Sequence, residues 1–183
     1  MYSKLMRLAR YRRNGNAVKG VFIAGILLFI ASSLLFPFNS KALAYTDKEL
    51  DKVLGVADQM FKAMKEDRFS AIWLALTEKS KSTIVADVTK EQKKLKGDYT
   101  TEQIKEDFEK CGPVCRVYWR IYLIYFNPDM ALNESKWDVG FIKKDRAEIL
   151  ITHNKSNAPA RLKMFKENGE WKVGLVETFW NRK

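Results

Sequence analysis

The apolar positions of the chain fall into three regimes. From Gly20 to Ser40 no charge occurs, and Val21–Phe38 is apolar apart from Ser32 and Ser33 and the breaks at Gly25 and Pro37. From Asp47 onward, apolar residues recur at spacings of three and four, the period of a helix with one buried stripe. Beyond Cys115 the period changes to two, the pattern of strands with one buried face.

The helical regime predicts three elements. Asp47–Glu66 places Leu50, Val53, Leu54, Ala57, Met60, Phe61 and Met64 on one stripe, with Thr46 or Asp47 as its cap. Arg68–Val88 reads as a second helix, with Phe69, Ile72, Trp73, Leu76 and Ile84 inward. Tyr99–Lys110 is a short third, in which Thr100 and Gln103 have capping-box spacing and Ile104 and Phe108 form the buried pair.

The alternating regime predicts a meander of four or five strands. Val117–Phe126 is β-branched and aromatic, which favours a strand, although a helix also fits its pattern. Asn127–Pro128–Asp129 stops it. Lys136–Ile142 alternates through Trp137, Val139 and Phe141, and Arg146–Thr152 through Ala147, Ile149 and Ile151. Ala160–Lys166 and Trp171–Trp180 flank Asn168–Gly169, the pair favoured in a type I′ hairpin turn. Helices followed by an antiparallel meander define an α+β domain with helices on one face of a sheet.

Charge changes the reading of the first regime. Of the 183 residues, 33 are Lys or Arg and 22 are Asp or Glu, for a net charge of +11. Residues 1–44 hold seven of the basic residues and no acid. A basic start, an apolar run and the small-x-small pattern Ala42–Leu43–Ala44 describe a secretory signal peptide cleaved after Ala44. The run 21–38 is also long enough to cross a bilayer as an uncleaved anchor. Both readings keep the N-terminus in the cytoplasm and deliver residues 45–183 across the cytoplasmic membrane. The exported part is then periplasmic or extracellular, or held at the inner membrane. It carries 26 basic and 22 acidic residues, interspersed, so the nucleic-acid partner suggested by the total loses its support.

Two cysteines and one histidine exclude a four-cysteine zinc site and any site needing two histidines, so no metal or cofactor is expected. Cys111–Gly112–Pro113–Val114–Cys115 is a C-x3-C with a turn inside it. In an oxidising compartment the two cysteines are a disulfide candidate.

The closing segment Ala160–Phe179, with Asn168–Gly169–Glu170–Trp171–Lys172–Val173 at its turn, and the preceding Asp145–Arg146–Ala147–Glu148–Ile149 resemble the NTF2-like (cystatin-like cone) superfamily. The likeness is to its exported bacterial lumazine-binding and uncharacterised types. It covers residues 46–180 and rests on element order and one hairpin pattern. It implies helices packed on a strongly twisted sheet to enclose a cone, and sheet-to-sheet homodimers are common in the superfamily. The layout is also similar to the inner-membrane assembly factor of type IV secretion systems. That family carries Asn-Pro-x-Gly, whereas this chain has Asn127–Pro128–Asp129–Met130 without the glycine.

Enzymes of the superfamily place a carboxylate or histidine in the cone. Glu177 follows Trp171, Val173 and Leu175 at period two and is the catalytic candidate; a strand-end carboxylate open to solvent is the plainer alternative. His153 lies in a polar, turn-rich run and reads as a loop residue, and Asp138 faces away from Trp137 and Val139. Arg116, Tyr118, Arg120 and Tyr122 share one face of the first predicted strand and form a candidate ligand or partner surface. Three functions remain open: a non-catalytic envelope module binding a small apolar ligand or a protein, an isomerase- or dehydratase-type enzyme, and a subunit of a membrane-spanning secretion assembly.

Overall fold

A computed structural model describes residues 46–180; the apolar run 21–38 and the cleavage pattern at Ala42 and Ala44 lie outside them. Among the described residues, no helix is long and apolar enough to cross a membrane. Helices come first and a four-stranded antiparallel sheet follows, an α+β arrangement.

Helix α1 (Asp47–Lys65) buries Val53, Ala57, Met60, Phe61 and Met64, the stripe its spacing predicts. The predicted second helix is two. Helix α2 (Phe69–Ala75) stops because Leu76 turns extended (ψ 152°) and forms a parallel bridge with Val173. Thr77 then caps α3 (Glu78–Lys94), its hydroxyl accepting the Ser80 N–H at 3.0 Å. Helix α4 (Thr101–Lys110) has both halves of the Thr100–Gln103 capping box and fully buries Ile104 and Phe108.

The predicted first strand is a helix, α5 (Pro113–Tyr125). Pro113 sits in its first turn, where a missing N–H costs nothing and the fixed φ is already helical. Its buried residues are Cys115, Tyr118, Trp119 and Tyr122, a three–four–seven spacing. Alternation was visible because apolar side chains surround the helix on nearly every side. A short helix, α6 (Pro128–Leu132), leads into the sheet.

Strands β1 (Ser135–Ile142), β2 (Arg146–His153), β3 (Ala160–Glu167) and β4 (Glu170–Val173) pair in sequence order. Trp137 lies opposite Ile151, Ile149 opposite Leu162, and Met164 opposite Val173, so the inward positions align across the sheet. A register shift between Val139 and Phe141 turns Phe141 out to 37% exposure, against its predicted inward place. Asn168 and Gly169 both have positive φ (51° and 84°), as a type I′ turn requires. The last predicted strand ends at Val173, and helix α7 (Leu175–Phe179) takes its place. Gly174 permits that change: a Cβ there would lie 2.6 Å from the Phe165 ring, and its N–H bonds the Lys163 carbonyl at 2.8 Å.

The core joins the helices to the inner sheet face. Eight rings run in an unbroken chain of contacts: Trp137, Phe61, Phe126, Tyr122, Trp119, Tyr118, Phe108 and Trp73, with centroids 4.7–5.8 Å apart. Met60, Met64 and Met164 belong to the same buried core. Full burial of each such side chain stabilises by roughly 1.5–3 kcal/mol.

Candidate functional site

Glu177 lies on α7, not on a strand, and is 6% exposed. Its Oε1 accepts the Thr77 hydroxyl at 2.9 Å and its Oε2 the Ser80 hydroxyl at 2.7 Å. Ser80 Oγ in turn accepts the Val176 N–H at 3.1 Å. The carboxylate thus sits at the N-terminal end of α3, where the helix dipole and the two hydroxyls offset the cost of burying it. Glu167 serves the same helix end from outside, its carboxylate accepting the Glu78 N–H at 3.0 Å. The solvent-facing alternative for Glu177 does not hold: the carboxylate is buried and joins two helices. Thr77 and Ser80 carry the only advance signal, a cap residue three before a serine, which gives no hint of a partner a hundred positions away.

The surface quartet divides. With α5 a helix, Tyr118 and Tyr122 turn inward, and burial pushes both phenols above their ordinary range. Arg116 and Arg120 stay outside. Between and beside them stand Val117, 55% exposed, and Ile124, 75% exposed. These positions recur at three, four and seven, so a second stripe runs along α5 opposite its buried one. Arg116 Nη1 donates to the Cys111 carbonyl at 2.8 Å. Arg120 makes no hydrogen bond or ion pair among the described residues. Helix α5 carries no acid.

The start of α5 is held from α4. Asp107 Oδ1 accepts the Cys115 N–H at 2.7 Å and Oδ2 the Val114 N–H at 3.3 Å. Cys111 closes α4 in the left-handed region, at φ 48°. Both cysteines are buried free thiols. Burial, and a hydrogen bond with the Cys111 thiol, push the Cys115 thiol far up.

His153 is the last residue of β2 rather than a loop residue. Its Nε2 lies 3.0 Å from a Glu134 carboxylate oxygen, and its Nδ1 accepts the Lys155 N–H at 3.1 Å. That accepting role assigns the proton to Nε2 and ties the ring to local structure. Asp138 is exposed on the outer sheet face, as its alternation predicts. No local pattern marks the cluster at the sheet edge. There Glu49 Oε1 accepts from Lys166 Nζ at 2.6 Å and from Trp171 Nε1 at 2.8 Å.

Two open surface depressions, of about 500 and 570 Å³, are lined by Leu54, Asp58 and Trp137 and by Thr89, Lys93 and Thr101 respectively. Neither reaches Glu177 or His153. Among the described residues no cluster of His, Cys, Asp and Glu is arranged to ligate a metal ion. Trp119 Nε1 is buried without a hydrogen-bond partner among them, and its ring plane stands at 87° and 76° to those of Tyr118 and Tyr122. No protein-family model, curated protein or solved structure matches the chain.

Proposed function

We propose that the chain is an exported or membrane-anchored NTF2-like domain, its helices and sheet forming the superfamily's cone, that acts as a non-catalytic interaction module of the cell envelope. Its binding surface is the outward face of α5, and its partner is an envelope protein.

The observation that carries this reading is the stripe of Val117, Arg120 and Ile124. Apolar side chains stand exposed beside a cation that has no partner among the described residues. Arginine is enriched at protein interfaces, and exposed apolar side chains grouped on one face mark docking sites. The packed interior supports the same reading, because rings and methionines occupy the space between helices and sheet where a small apolar ligand would lie. Glu177 supports it too, since both carboxylate oxygens are engaged by hydroxyls and, among the described residues, no second acid or base is hydrogen-bonded to it. A secretion-assembly subunit is the form of this reading in which the run 21–38 stays in the membrane.

A photocrosslinking residue at position 124 of the full chain, in its own cells, tests the proposal. Crosslinks to a discrete envelope protein, lost in Arg120→Glu, are the expected result. The same label at exposed Lys136 should give none. Equal labelling at both positions, or none at 124, overturns the α5 surface. Intact mass of the mature protein reports separately whether the chain begins at Tyr45.

A further inference from the structure

We propose that Cys111 and Cys115 are a covalent modification site, an intramolecular disulfide that ties the end of α4 to the first turn of α5.

The five residues are folded back on themselves and held at both ends. Cys111 leaves α4 in the left-handed conformation, at φ 48°. The Gly112 N–H returns to the Asp107 carbonyl at 2.7 Å. The Asp107 carboxylate binds the backbone of Val114 and Cys115, and Arg116 binds the carbonyl of Cys111. An extended C-x3-C would hold its sulfurs too far apart to bond; here the chain turns back between the two cysteines, with Cys111 closing α4 and Cys115 already in the first turn of α5. The Cys115 side chain is fully buried and Cys111 is 9% exposed, so the folded corner shields both.

Shielding sets the order of events. A buried protonated thiol is a poor nucleophile, so oxidation precedes closure of the corner. While the chain is still open, one cysteine thiolate attacks the disulfide of an oxidising thiol–disulfide partner, forming a mixed disulfide. The second cysteine then displaces the partner. One S–S bond forms in this chain, one is lost from the partner, and the two electrons and two protons leave with the partner as its dithiol. Folding afterwards buries the bond away from reductants. The oxidant in the cell rests on the export reading above; the turn geometry does not.

The test uses the full chain in detergent, unfolded under reducing conditions and refolded with oxidised and reduced glutathione. Free thiols are then alkylated in denaturant, and the mass and melting temperature are measured. The expected product is a monomer lighter by two hydrogens, without alkylatable thiols, melting about 5 °C or more above the reduced protein. A Cys111→Ser/Cys115→Ser double variant should fold and show no response to the glutathione couple. Two alkylated cysteines, a glutathione adduct or a disulfide between molecules overturns the inference. A bond that forms in vitro but is missing from protein recovered from cells leaves the turn geometry standing and counts against export.

Discussion

Ser80 Oγ donates to Glu177 Oε2 at 2.7 Å while accepting the Val176 N–H at 3.1 Å, so one hydroxyl binds α7 through both its proton and a lone pair. Thr77 repeats half of this, donating to Glu177 Oε1 and accepting from Ser80 N. The start of α3 and the whole of α7 are one hydrogen-bonded unit, although 97 positions separate Ser80 from Glu177.

Glu177→Ala strips the acceptor from two buried hydroxyls. The expected loss is about 2–3 kcal/mol of unfolding free energy, the scale of buried groups left unsatisfied. Urea denaturation should show a lower midpoint with an unchanged slope. Glu177→Gln, which keeps one acceptor oxygen, should lose less. Wild-type midpoints in both variants would remove the carboxylate from the account of stability.

Acid should loosen the contact between α1 and the β3–β4 hairpin. The Lys166 ammonium, and then the Trp171 N–H, hold the Glu49 carboxyl at about 2, below its ordinary 4.5. A carboxyl whose pKa is lower in the folded state binds fewer protons there than in the unfolded chain. Its contribution is therefore fully present above about 4.5 and is lost as pH falls from there toward 2. Denaturation curves between these limits should be less steep in pH for Glu49→Gln than for the wild type. Identical slopes would assign the acid sensitivity to other groups.

The α4–α5 corner permits a double-mutant cycle. A Cβ on Gly112 would lie 2.1 Å from Asp107 Oδ2, although the glycine's own φ of −73° is ordinary. Gly112→Ala should push the carboxylate off the Val114 and Cys115 N–H groups. Asp107→Ala removes it outright. Each change should cost about 1–2 kcal/mol, as lost caps do. The double variant should cost little more than either alone, since both delete the same bonds. Additive losses would show that the two residues act separately.

Periodicity disclosed the elements that bury a single face. The α1 stripe, the Thr100–Gln103 box and the Asn168–Gly169 turn were all legible because each depends on residues within four positions of one another. Helix α5 fits both a strand and a helix in sequence because Val117, Ile121 and Ile124 populate the side that polar residues usually mark. Buried Cys115, Tyr118, Trp119 and Tyr122 alone have helical spacing, and Pro113 marks the first turn. The break at Leu76 and the end of β4 at Val173 were illegible for one shared reason. The two residues bridge each other across nearly a hundred positions, so the local signals beside them, the Thr77 cap and Gly174, do not disclose the pairing. Glu177 belongs with them, because its partners sit at the far side of that bridge.

That bridge has a consequence for synthesis. Sheet neighbours follow one another along the chain and can pair as they emerge, but α3 receives its buried capping partners only when α7 arrives. A chain stopped before Gly174 has α1–α6 and all four strands, yet leaves the Thr77 and Ser80 hydroxyls without the carboxylate. A chain cut short of α7 therefore keeps an open, under-bonded end at the start of α3, and α7 is the element that closes it.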